Sequence, residues 1–188
     1  MRIWFGDMGD FWVFGYGSLM WRPGFAHVET RKARLSGYRR MLCLRSHVHR
    51  GTPERPGLVL GLEPGGSCLG MAFRVPGDLT DEVLAYLRDR EMKTRAYHEK
   101  RLPVRLDDGE VVPALTYVVD RGHCQYAGDI GVDEIVRTIS GAVGESGRNE
   151  DYVLNTIQHL QALGIRDRRL EGIAARLNPE AVAPQPAP

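Results

Sequence analysis

The order of its segments makes this chain an α+β protein. Three observations lead there: short apolar runs between Gly- and Pro-rich turns fill the first half, one strong hairpin signal follows, and helical periodicity dominates the end. Strands are predicted over Val13 to Tyr16, Arg39 to Ser46, Leu58 to Leu62 and Cys68 to Val75, with two prolines in the Arg50 to Gly57 loop. A helix should begin after Gly77. There Thr80 can cap the backbone N–H groups, and Asp81 and Glu82 complement the positive end of the dipole, with the helix running to about Arg90. Strands near Ala96 to Leu106 and Glu110 to Val119 flank Asp107-Asp108-Gly109, a hairpin turn by composition. The remainder reads as helical. Asn149 can cap a helix whose apolar residues Val153, Ile157, Leu160 and Leu163 recur at helical spacing, with Gly164 as its stop.

With 188 residues and 43% apolar content, the chain can bury one good core, so a single domain over 1-178 is expected. The segment 179-188 is Pro- and Ala-rich and reads as disordered. Formal charge is +1 with no basic run, which argues against nucleic acid or an anionic membrane as partner. The RDRR string at Arg166 to Arg169 reads as a solvated helix start. Cys43, Cys68 and Cys124 are widely spaced and odd in number, as suits reduced thiols in a cytoplasmic protein. The first ten residues lack the apolar core of a signal peptide, and no stretch approaches membrane-spanning length. Oligomeric state is not legible.

Chemistry concentrates in Val13 to Pro23, VFGYGSLMWRP, an apolar strand ending in Gly15-Tyr16-Gly17-Ser18-Leu19. Two glycines flanking a tyrosine can turn successive amide N–H groups into one cavity, where they would hold a carboxylate or an oxyanion. A hairpin turn whose aromatics fill a core is the alternative. Glu91 is the second feature. From Val83, Leu84 and Leu87, steps of three, four or seven residues reach Glu91, so a carboxylate falls in phase with the apolar face. Burial raises a carboxylate's pKa toward the range of a general base, unless Arg90 or Arg95 offsets it. A salt-bridged glutamate at a frayed helix end is the competing reading. Glu82 lies nine residues earlier, and at about 100° per residue it points nearly opposite to Glu91. It is assigned to the surface.

FGYGSLMWRP, His49-Arg50-Gly51-Thr52-Pro53 and Ser146-Gly147-Arg148-Asn149 together resemble the ChaC family of γ-glutamylcyclotransferases, in the family's order, from about Trp12 to Leu177. The resemblance implies a small mixed β-barrel flanked by helices, with the site at the barrel mouth. It also implies that Glu91, in Arg90-Glu91-Met92, is the catalytic base and that glutathione is the substrate, with 5-oxoproline and Cys-Gly as products. No metal and no cofactor are implied. Tyr16, Gly17, Ser18 and Leu19 would bind substrate. Tyr117 and Tyr126 resemble tyrosines near the site of related cyclotransferases, although core packing accounts for each equally well.

Arg50 could grip a substrate carboxylate through two parallel hydrogen bonds; a solvated loop arginine is its other reading. His47 and His49 share a strand face but lack a third ligand at suitable spacing, and Ser18 has no GxSxG context, so neither metal nor serine chemistry is expected. The family pattern is broken after Glu91, where Met92 to Tyr97 stands in place of a Gly-Gly-Tyr stretch found in some members. That leaves other γ-glutamyl peptides or amines open as substrates. A binding module without turnover, linked to cation transport, is the rival from another class.

Overall fold

In the computed structural model, which describes residues 9–178, the chain is α+β: five strands close a barrel and four helices accompany it among the described residues. The expected tail at 179-188 lies outside the described residues, as does most of the N-terminal segment read as lacking a leader. Contacts fall into two compact units, Met1–Arg40 with Gly61–His123, and Met41–Leu60 with Cys124–Pro188.

The first unit carries the barrel, whose strand order is β1-β3-β2-β4-β5. Its elements are β1 (Phe11–Gly15), β2 (Glu29–Ser46), β3 (Gly57–Val75), β4 (Tyr97–Leu106) and β5 (Val111–Val119), with β2 and β3 running on into the second unit. β1 pairs antiparallel with β3 from Phe11 opposite Val75 to Gly15 opposite Met71, and parallel with β5 through Trp12 opposite Ala114. The sheet is therefore mixed. The Asp107-Asp108-Gly109 turn forms as predicted, with Gly109 at φ 94, a conformation that favours glycine, and Glu110 N–H donating to Asp108 Oδ1 at 2.9 Å.

Two strands are longer than the sequence suggests. β2 starts at Glu29 rather than Arg39, because Thr30, Lys32 and Arg34 leave only Ala33 and Leu35 as buried apolar signals in its first part. β3 is one strand rather than two: Pro64 to Ser67 is exposed, and positive φ at Gly65 and Gly66 bends the chain within the strand.

Helix α1 (Thr80–Glu91) follows a single 3-10 turn over Gly77–Leu79. That turn moves the N-cap to Leu79, so Thr80 is already helical and its side chain does not cap. Asp81 and Glu82 do occupy the first turn, and Glu82 is exposed. Val83, Leu84 and Leu87 are buried in a core cluster with Phe11, Val13, Leu19, Val75, Leu115 and Tyr117. α1 thus covers the side of β1 and β5 from which Leu115 and Tyr117 project.

The second unit holds α2 (Val132–Ile139), the two-residue strands β6 (Val143–Gly144) and β7 (Gly147–Arg148), α3 (Asn149–Ala162) and α4 (Arg168–Leu177). Ile135 and Ile139, Val153, Ile157 and Leu160, and Leu170 and Ile173 are buried in turn by these helices. α3 stops as predicted: Gly164 has φ 67, and Ile165 N–H donates to Leu160 O at 2.8 Å. Asp167 caps α4 by accepting from Leu170 N–H at 3.1 Å. Asn149 is not a cap. Fully buried, it accepts from Leu58 N–H at 2.6 Å and donates to Leu58 O at 2.8 Å, so its amide imitates a strand partner and Arg148 becomes the N-cap.

Candidate active site

The loop after β1 is a 3-10 turn, Ser18–Met20, whose N-cap is Gly17. Neither Gly15 nor Gly17 has positive φ; Gly15 is needed because a Cβ there would lie 3.0 Å from Leu19 Cβ. Gly70, across the sheet, is needed more strongly still, since its Cβ would lie 2.3 Å from Gly15 O.

Three tethered carbonyls orient this loop. Arg40 is 6% exposed, and its guanidinium donates to Tyr16 O and to Leu69 O, both at 2.5 Å. Gly17 O accepts from Met20 N–H at 2.9 Å, and Ser18 O from Arg22 N–H at 2.8 Å. A trans peptide is planar, so fixing each carbonyl aims the next residue's N–H the opposite way. The N–H groups of Gly17, Ser18 and Leu19 are therefore directed by their neighbours, and as the opening residues of the turn they have no earlier carbonyl within it to bond. Tyr16 and Leu19 are buried, and Leu19 joins the cluster beneath α1.

Glu91 is the last residue of α1, 19% exposed at its side chain and in phase with Leu84 and Leu87. Burial pushes its carboxyl above the usual range, and the charge and hydrogen bond of Arg90 pull against that without cancelling it.

Arg90 connects helix and loop. Its Nε lies 3.2 Å from Glu91 Oε1, its Nη2 donates to Ser18 Oγ at 2.9 Å, and its Nη1 donates to Arg22 O at 2.7 Å, Tyr86 Oη at 2.8 Å and Pro23 O at 3.3 Å. The guanidinium also lies 6.0 Å from the centre of the Tyr86 ring. One side chain thus fixes the distance between Glu91 and the loop.

Tyr117, on β5, shares the core cluster with Leu87 and Leu19, and its hydroxyl donates to Glu99 Oε2 at 3.3 Å. Burial first, then Glu99 and Glu91, push its phenol well above the usual range. Arg88 grips Glu99 with Nε to Oε2 at 2.9 Å and Nη2 to Oε1 at 2.8 Å. Glu91, Tyr117 and the Tyr16 to Leu19 loop are all in the first unit.

Arg50 and Tyr126 are in the second. Arg50 Nη1 donates to Ser146 O at 2.5 Å, and its guanidinium lies 5.1 Å from the Tyr152 ring centre. The half-buried Tyr126 forms a β-bridge with Leu44. Among the described residues, no three His, Cys, Asp or Glu side chains group as metal ligands do, and no helix is long and apolar enough to cross a membrane.

The family model for ChaC-like proteins matches residues 11–179. This chain belongs to that family. It is 37% identical over 167 residues to the glutathione-specific γ-glutamylcyclotransferase of Escherichia coli (strain K12), covering 89% of this chain and 72% of that protein. It is 34% identical over 174 residues to glutathione-specific γ-glutamylcyclotransferase 1 of Mus musculus, covering 89% and 78%. A crystal structure of a yeast γ-glutamyl cyclotransferase specific to glutathione superposes with a TM-score of 0.82 at 23% identity, covering 91% of this chain and 96% of that one, which establishes the shared fold.

In this ChaC-like chain the sequence reading did not find Arg40, Tyr86, Arg88 or Glu99, and treated Arg90 only as a counter-charge. The spacing of Tyr86 and Arg90, one helical turn apart, was an available signal. Glu99 became visible only with the β4 to β5 register, which sets it opposite Tyr117.

Proposed function

We propose that this protein is a γ-glutamylcyclotransferase that degrades glutathione to 5-oxoproline and Cys-Gly. The observation that carries this reading is the Arg90 bridge, which holds a carboxylate of raised pKa beside a loop of oriented amides. The names of the relatives supply the substrate class.

The reaction needs one internal attack. The α-amino nitrogen of the γ-glutamyl unit bonds to its own γ-carbonyl carbon, and the bond from that carbon to the cysteine nitrogen breaks. Both partners belong to one molecule, so the protein has to fold the substrate and manage protons. Glu91 takes a proton from the α-ammonium and delivers it to the leaving nitrogen, so no water is consumed. A pKa above the ordinary carboxylate range brings Glu91 closer to that of the group it deprotonates. The amides of Gly17, Ser18 and Leu19, beside Tyr16, bind the substrate's α-carboxylate or the developing oxyanion, the two anions that preorganised donors suit. Tyr117 lines the same side of the barrel. Arg50, which is engaged with Ser146 O, is a candidate to pair with a substrate carboxylate, and Tyr126 is a candidate substrate contact. The cytoplasm suits a chain whose three cysteines are thiols.

The test is to incubate purified, metal-free protein with glutathione and, separately, with γ-glutamyl-alanine, following 5-oxoproline by NMR beside Glu91→Gln. Product from glutathione that is lost in the folded variant supports both reaction and base. Preference for γ-glutamyl-alanine moves the assignment to other γ-glutamyl peptides, and no product from either refutes it.

A further inference from the structure

A permanent positive charge is buried beneath the loop after β1. Arg40, on β2, is 6% exposed, and its Nε donates to Tyr16 O at 2.5 Å. Its Nη2 donates to Leu69 O on β3 at 2.5 Å and lies 3.9 Å from Met20 Sδ, at the end of the 3-10 turn. Two strands and both ends of the loop thus meet on one guanidinium. Taking such a group out of water is costly, and an apolar side chain of similar volume often packs in its place without loss. An apolar side chain, however, can neither aim a carbonyl nor carry a charge, whereas a guanidinium stays protonated at any pH a protein meets.

Both properties act on one peptide group. The bond between Tyr16 and Gly17 is trans, so holding Tyr16 O toward Arg40 sends the Gly17 N–H directly away from it. A carbonyl that accepts from a cation also makes its own amide a stronger donor, because hydrogen bonds in a chain polarise one another. An anion on the Gly17 N–H would sit within about 8 Å of the guanidinium, counting along the bonds between them. At that separation, and at the effective dielectric of a protein site, opposite unit charges change an equilibrium about 30-fold.

Resting on the cyclotransferase reading above, we propose that Arg40 is a positioning residue of the reaction: through Tyr16 O it aims the Gly17 N–H, and its charge supplies positive potential to the anion bound by that amide. It does this from beneath the loop, without touching substrate. The amide loop then acts as a site for a charged group rather than for any hydrogen-bond acceptor.

The experiment measures Tm, and kcat and KM for glutathione, in full-length Arg40→Met and Arg40→Lys. Both variants lose the fork that reaches Tyr16 O and Leu69 O together, so Tm falls in both; only lysine keeps the charge. Arg40→Met should lose about 30-fold in kcat/KM, and Arg40→Lys no more than about threefold. A loss confined to KM places the potential on the α-carboxylate, which is charged before and during the reaction, and a loss in kcat places it on the oxyanion; either supports the proposal. Equal losses in the two folded variants mark a structural role and overturn it, as does Arg40→Met within about threefold of the parent. Should Arg40→Met not fold, Arg40→Gln takes its place, since its amide can donate to Tyr16 O without a charge, and it should fall about tenfold below Arg40→Lys. If the parent forms no 5-oxoproline from glutathione, the cyclotransferase reading fails and this inference with it. An active parent whose variants lose activity equally removes only the inference.

Discussion

Replacing Arg90 with methionine should separate the helix from the loop and be visible in two independent readouts. The guanidinium makes three short hydrogen bonds, to Ser18 Oγ at 2.9 Å, Arg22 O at 2.7 Å and Tyr86 Oη at 2.8 Å. A buried charged donor contributes about 1.5 to 3 kcal/mol per bond, but Arg90 is 24% exposed, and water competing for it brings each to about 1 kcal/mol. The methionine stem keeps the contact with the Tyr86 ring. The net loss is about 3 kcal/mol, which for a chain of this size lowers Tm by about 6 to 12 °C in a calorimetric scan.

The second readout is the pH profile of kcat/KM. Arg90 pulls the Glu91 pKa down against the effect of burial, so removing its charge lets burial act unopposed and raises it. Because the proposed mechanism needs Glu91 ionised, the acidic limb of the profile moves to higher pH. Arg90→Lys keeps the positive charge but not the fork, so its Tm falls while its acidic limb stays nearly in place. A methionine variant with Tm within about 1 °C of the parent and an unmoved limb would refute the idea that Arg90 couples base and loop.

Glu91→Gln should lose about 10²- to 10⁴-fold in turnover yet gain stability. Its folded pKa lies above the unfolded one, so the fold favours the protonated form; stability is full below the unfolded value and declines as pH rises through the folded value. Glutamine carries no such penalty, and its stability advantage over the parent should grow as pH rises from the unfolded glutamate value through the raised folded one, at about 1.4 kcal/mol for each unit of elevation. Gly70→Ala places a methyl 2.3 Å from the backbone oxygen of Gly15 and 2.8 Å from Phe14 Cζ, and should cost about 3 kcal/mol by urea denaturation. Arg95 is the single non-glycine residue with positive φ among the described residues, at φ 57, in the Met92 to Tyr97 segment after Glu91. Arg95→Gly should raise the unfolding free energy by up to about 1 kcal/mol, seen as a higher urea midpoint, and an unchanged or lower midpoint would count against strain there.

The placement of Glu91 in phase with the apolar face was legible because a 12-residue helix with buried Val83, Leu84 and Leu87 fixes the direction of every later residue on it. The β4 to β5 hairpin was legible because Gly109 supplies the one conformation the turn requires. The beginning of β2 was not, since a strand whose outer face is charged shows little apolar alternation. Asn149 was misread because its residue type favours caps, and only the three-dimensional approach of Leu58 gives its amide both a donor and an acceptor. Arg88 and Glu99 escaped for a similar reason. Eleven residues separate them along the chain, and their pairing depends on how α1 lies beside β4.

The parallel pairing of β1 with β5 governs when the barrel can close. β1 acquires its antiparallel partner within β3, but its other edge closes only through Trp12 with Ala114 and Val13 with Leu115, reinforced by Thr116 Oγ1 donating to Phe14 O at 3.0 Å across 102 residues of sequence. Contacts so distant along the chain form late. While the protein is being synthesised, then, the strand that leads into Gly15-Tyr16-Gly17 waits as an open edge until the ribosome has released residue 119, exposed meanwhile to pairing with other chains. Until β5 is made, Leu19 of that loop lacks the neighbours Leu115 and Tyr117 that share its core cluster.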